Sequence, residues 1–182
     1  MRMPTIAFVV AAALAAACAP LTVSSHIERT ANFADYVTYD WGPPDALPVG
    51  DPRLDNNPFF RDHLQGAIEK HLDRKGYERA LSGPPDLLIH YHASVTQKVD
   101  VYEVDTRYGY CYGNCQPQIT DYEQGTLVVD IVDAATSKVV WRGWVQNVMN
   151  GVIDDQHRLD KQVDDGIDKM MLLLPRGGAA LR

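Results

Sequence analysis

Long apolar runs are missing from this chain of 182 residues: the longest, Ile6 to Ala17, falls short of the roughly 20 residues that a membrane-spanning helix needs. Positive charge is scarce as well. Lys and Arg total 17 against 24 Asp and Glu, the formal net charge is −7, and no basic cluster interleaved with aromatics offsets the balance. Such a surface repels phosphate backbones and anionic headgroups alike, which argues against nucleic acid as a partner and leaves membrane attachment to acyl chains. Signatures of catalysis are also lacking. There is no Gly-x-Ser-x-Gly elbow around Ser82, Ser94 or Ser137, no glycine-rich phosphate loop and no His-Glu-x-x-His pattern, so neither an enzyme nor a cofactor is expected. Cysteine is limited to three residues, few enough that each can be assigned a role.

What is present begins with a compartment signal. Arg2 supplies a positive start, Ile6 to Ala17 is apolar, and small residues crowd its end at Ala15-Ala16-Ala17-Cys18, as in a cleaved signal peptide. The reading is therefore a signal peptide over 1–17, a lipidated N-terminus and tether over 18–20 with the acyl chains on Cys18, one α+β domain over 21–175, and a flexible tail over 176–182. Ala19 lacks the Asp that retains enterobacterial lipoproteins at the inner membrane, which favours the periplasmic face of the outer membrane. Outside the cytoplasm the remaining pair, Cys111 and Cys115, can form a disulfide, because Gly113-Asn114 between them suits a tight turn.

Along the chain, Leu21 to Ile27 alternates weakly and Phe33 to Trp41 is aromatic and β-prone, predicting one or two strands before Gly42-Pro43-Pro44. Asp45 to Pro58 reads as a proline-rich loop. A helix starts at Asn57-Pro58, runs through Phe60, Leu64, Ala67, Ile68, His71 and Leu72, and closes at Lys75-Gly76. Asp86 to Val101 alternates, with Leu87, Ile89, Tyr91, Ala93 and Val95 on a core face and Leu88, His90, His92 and Ser94 on a more polar one. Tyr102 to Tyr122 reads as an irregular tyrosine-rich loop. A hairpin of Gly125 to Val132 and Lys138 to Val148 follows, then a helix with a stripe at Leu159, Val163, Ile167, Met170 or Met171, and Leu174. The order β-α-β-β-β-α, with two amphipathic helices, predicts a two-layer α+β sandwich whose mostly antiparallel sheet carries both helices on one face.

Several motifs in order, Tyr39-Asp40-Trp41, Asp86 to Ala93, Lys98 to Val101, Gly125 to Asp130 and Val140 to Trp144, resemble the envelope lipoproteins of the domain of unknown function numbered 4136. The resemblance runs from about Thr22 to Pro175. It implies a bacterial, mostly Gram-negative, lipid-anchored protein with a small α+β domain, and it brings no established activity or catalytic residues.

Candidate site residues are few. His90 and His92 leave the same face of a strand, as two imidazoles reaching one metal would, and Cys111 and Cys115 follow in sequence; the alternative is a pair of ordinary sheet-face histidines beside an oxidised cystine. His63 and His71 lie eight apart, too far to share a metal, with His71 at the edge of the core, and His157 has no companion. Asp130 and Asp133 are the best candidates for paired carboxylates, although Asp130 alternates with apolar strand residues and Asp133 opens a turn. Trp141 and Trp144 leave opposite faces of their strand, so one belongs to the core while the other can be exposed beside Arg142. With Tyr108, Tyr110 and Tyr112 of the tyrosine-rich loop, Arg142 and Trp144 form the expected interaction surface. The expected partner is another envelope protein or component. The expectation is a non-catalytic binding or envelope-assembly module, with a metal or small-ligand binder on His90 and His92 as the alternative.

Overall fold

A computed structural model describes residues 21–43, 50–102 and 118–181. Its frame is one six-stranded sheet in the order β1-β6-β5-β4-β2-β3, formed by β1 (Thr22–Ile27), β2 (Thr38–Trp41), β3 (Glu78–Arg79), β4 (Leu87–Tyr102), β5 (Gln118–Asp133) and β6 (Lys138–Val148). Pairing is antiparallel through β1, β6, β5 and β4, while β2 runs parallel to β4 and β3. A short helix α1 (Pro52–Asp55) interrupts the proline-rich loop, and two longer helices, α2 (Pro58–Arg74) and α3 (Gln156–Leu172), cover one face of the sheet. The α+β sandwich with one helical layer is the architecture that the order of elements predicts.

The helices begin where the sequence says they should. Asn57 accepts from the N–H of Phe60 at 3.1 Å with Pro58 in the first turn, and Asp155 accepts from the N–H of Arg158 at 3.1 Å. Each cap satisfies a donor that the first helical turn would otherwise leave unpaired. Gly76 follows α2 with φ 83°, a conformation that glycine adopts without a Cβ penalty. Leu64, Ile68 and Leu72 of α2 and Leu159, Ile167, Met170 and Met171 of α3 are almost completely buried against Leu87, Ile89, Val129, Ile131 and Trp141 of the sheet. Burying each such side chain contributes roughly 1.5–3 kcal/mol, so this layer-to-layer contact is the main source of stability.

Two boundaries differ from the sequence reading. Strand β5 begins at Gln118, so the end of the expected irregular loop is strand, paired with β4 as far as Tyr102↔Gln118. Beyond Gln124↔Val148, where β6 ends, β4 and β5 therefore continue as a two-stranded arm. Where a free tail was expected after Pro175, the N–H of Gly177 donates to Lys75 O at 2.9 Å, that of Gly178 donates to Tyr36 O at 2.8 Å, and Gly178–Leu181 form a 3-10 turn. The tail is thus tied to the ends of α2 and β2. The signal run, Cys18, the tyrosines Tyr108, Tyr110 and Tyr112, and the pair Cys111 and Cys115 lie outside the described residues.

Candidate functional site: the uncovered face of the sheet

Because both helices lie on one side, the other face of β1, β6, β5 and β4 carries no second layer among the described residues. The register sorts this face into transverse rows. Thr22, Gln146, Thr126 and Ser94 form a hydroxyl and amide row; Ser24, Trp144, Val128 and His92 form the next; His26, Arg142, Asp130 and His90 form the third. Rows two residues apart along a strand are about 7 Å apart, and neighbouring strands about 4.8 Å, so the patch measures roughly 15 Å each way.

Its strongest polar contact joins neighbours of the third row. Arg142 Nε and Nη2 donate to Asp130 Oδ1 and Oδ2 at 2.6 and 2.7 Å, a bidentate fork. Hydrogen bonding to Asp130 raises the pKa of the Arg142 guanidinium above its usual range. The carboxylate is only 12% exposed and the guanidinium 50%, so Arg142 keeps donors turned to solvent while Asp130 is committed to it. Trp144 stands half-buried in the adjoining row, whereas Trp141 is completely buried among the helices, as their opposite faces require. The chemistry of this face is thus aromatic, imidazole and paired charge.

The histidine pair is less open than its spacing suggests. His90 and His92 do share this face and are both half-buried, but a Cβ on Gly42, at the end of β2, would overlap the His90 ring. The imidazole therefore lies across the glycine. Asp130, its register neighbour on β5, is held by Arg142, and no group of three or more His, Cys, Asp or Glu able to hold a metal occurs among the described residues.

The other candidates are dispersed. Asp133 accepts from Tyr36 Oη at 2.9 Å and from the N–H of Thr136 at 2.8 Å, which makes it a turn residue and keeps it from pairing with Asp130. Burial and this bond push the Tyr36 hydroxyl up to about 12. His63 and His71 clasp the two helices, with Nε2 contacts to Asp164 at 3.0 Å and Asp168 at 2.6 Å, and His71 is only 7% exposed, deeper than an edge position. His157 is exposed at the start of α3. On the helical side, a small apolar pocket of about 60 Å³ opens between Leu54, Phe60, Ala93, Leu127, Met149 and Val163, too small for more than a fragment of a ligand.

The order of these elements and motifs matches one family. The model for Domain of unknown function (DUF4136) covers residues 23–175. The chain belongs to that family. No curated protein matches it. Among solved structures, this DUF4136 chain is similar to a PDZ domain protein from Parabacteroides distasonis, with 13% identity over 89% of this chain, 38% of that chain and a TM-score of 0.51. It spans only that 38% of the other protein's length, and the likeness concerns fold alone. A PelC dodecamer from Paraburkholderia phytofirmans matches with 11% identity over 84% of this chain and 95% of that one, at a TM-score of 0.43.

Proposed function

We propose that this DUF4136 protein is a non-catalytic binding module, anchored by acyl chains on Cys18 at the periplasmic face of the outer membrane, whose uncovered sheet face receives another envelope component. The observation that carries the reading is the half-buried Trp144 beside the bidentate Arg142–Asp130 pair on a face that no helix among the described residues covers. Tryptophan and arginine are the side chains that most often dominate interfaces. The carboxylates support the same reading: Asp130 and Asp133, the residues best suited to acid–base work, are both engaged by structural partners. The tyrosines Tyr108, Tyr110 and Tyr112, which follow β4 and precede β5 in sequence, belong to the same proposal.

The test is recovery of the partner after cross-linking in intact cells. Trp144→Ala combined with Arg142→Ala should reduce recovery roughly ten-fold or more; because the change leaves the 12% exposed Asp130 carboxylate without its partner, cooperative thermal unfolding of the variant is the control for folding. Full recovery from a folded double variant refutes the face as the binding site. Cys18→Ser should move the protein out of the membrane fraction, and continued sedimentation with membranes refutes the anchor.

A further inference from the structure

We infer that the free edge of β1 is a self-association surface, through which two copies of this chain join their sheets about a two-fold axis at Ser25. The inference is independent of the uncovered face. It begins with which backbone groups β1 leaves unpaired. Glu28 donates its N–H to Val140 O at 2.9 Å, and the register continues from there as Ile27↔Trp141, His26↔Arg142 and onward to Thr22↔Gln146. In an antiparallel ladder, alternate residues bond to the same neighbour, so the even-numbered residues of β1 face β6 and Val23, Ser25 and Ile27 turn their N–H and C=O groups outward. No hydrogen bond among the described residues reaches those groups.

Edges of this kind are ordinarily guarded by charge, proline, a bulge or shortness. The opposite edge of the sheet is guarded: β3 has two residues, Glu78 and Arg79, both charged. The arm of β4 and β5 carries Lys98, Asp100, Asp121 and Glu123. In contrast, β1 is six residues of Thr-Val-Ser-Ser-His-Ile with no Lys, Arg, Asp, Glu or Pro, and Ile27 at its end is 40% exposed.

The strand fits a second copy of itself. A two-fold axis perpendicular to the sheet at Ser25 sets Ser25 opposite Ser25 and Val23 opposite Ile27 of the other copy. Every outward N–H and C=O of these residues then finds a partner, apolar side chains meet on the helical side, and Ser24 meets His26 on the uncovered side. Within the paired β1 strands no like charges face each other at neutral pH. The contact is about 20 Å long, with the flank of α3, which packs on β6 and β1, adding depth. A contact of this length is small beside the about 800 Å² per partner usual for a stable interface.

Sedimentation velocity of the full-length protein in density-matched detergent, at micromolar concentrations, tests the inference. Wild type should sediment with twice the protein mass of one chain, and amide exchange at Val23, Ser25 and Ile27 should be as slow as at residues facing β6. Ser25→Pro removes an N–H that the monomer does not use but the dimer does, so it should halve the mass without loss of melting temperature. Ile27→Lys places a charge at the same edge and should do likewise. A wild type of single-chain mass, fast exchange at those amides, or a folded variant of either kind that keeps the doubled mass overturns the inference.

Discussion

Asp86→Ala should detach the start of β2 from β4. One carboxylate oxygen, Asp86 Oδ2, accepts from the N–H of Val37 at 2.9 Å, the N–H of Thr38 at 2.8 Å and the Thr38 hydroxyl at 3.0 Å. The backbone of Asp86 donates in return to Thr38 O and Oγ1. Burial pushes the Asp86 carboxyl up, but the hydrogen bonds from Thr38 and Val37 together outweigh it and hold the group below its ordinary 3.8. A hydrogen bond to a charged acceptor contributes about 1.5–3 kcal/mol, and the three share one half-buried acceptor, so they do not add fully. The expected loss is about 3 kcal/mol at neutral pH, or roughly 6–12 °C in melting temperature for a domain of this size. Because the folded pKa lies below the unfolded one, the part of the stabilisation that depends on the charge is present at neutral pH and is lost as pH falls through the folded value. Thermal and urea unfolding of wild type and variant should therefore give curves that stand apart at neutral pH and draw closer in acid. A loss under about 1 kcal/mol at neutral pH, or a gap that persists undiminished near pH 2, refutes the account.

Two further substitutions probe the sheet face and the helix ends. Gly42→Ala drives a methyl group into the His90 ring and should cost about 1–3 kcal/mol in urea unfolding; His90→Ala in the same chain should restore most of it, and additive losses would show that the two do not touch. Lys75 Nζ donates to Leu174 O at 2.5 Å and Leu172 O at 3.4 Å, capping the end of α3, so Lys75→Met should cost roughly 1 kcal/mol, and an unchanged melting temperature would remove the cap from the stability argument.

The elements most legible in the sequence are those whose signals are local. Asn57-Pro58 and Lys75-Gly76 bracket α2, the Leu159 to Leu174 stripe marks α3, and the alternation from Leu87 to Val95 assigns the faces of β4. The register between strands is not local, and one residue decides it. At the closed end of the last hairpin, Asp133 pairs with Lys138 and Val132 with Val139, but Ile131 pairs with Trp141, which leaves Val140 as a bulge. Without the bulge, Trp141 would lie beside Asp130; with it, Trp141 enters the core next to Ile131 and Arg142 comes to Asp130. The sign in the burial pattern is two successive buried residues, Val140 and Trp141, in a strand that otherwise alternates. The sequence separated the two tryptophans by face, yet it could not show that Arg142 and Asp130 meet. The same applies to His90, whose spacing suggested a ligand and whose place over Gly42 depends on the parallel pairing of β2 with β4.

The uncovered face and the β1 edge constrain one another. A two-fold axis perpendicular to the sheet leaves both uncovered faces on the same side, so a dimer joined at Ser25 presents two Trp144 patches to one extended partner, and a second contact made from a first is gained at high effective concentration. If the chain is anchored through Cys18 as proposed, symmetry then fixes the orientation of the dimer. The chains leave β1 at Leu21 in opposite directions, and three residues, the number from Cys18 to Pro20, can reach at most about 10 Å. Two such anchors enter one membrane equivalently only if the axis stands normal to it, which lays the sheet parallel to the bilayer. With the helical layer toward the membrane, the patches look into the periplasm and remain available; with the sheet toward it, they are occluded. Quenching of Trp144 fluorescence by lipid-borne quenchers, read in a variant in which Trp41 and Trp141 are replaced by Phe, separates the two: weak quenching supports a periplasmic partner, and strong quenching places the partner in the membrane itself.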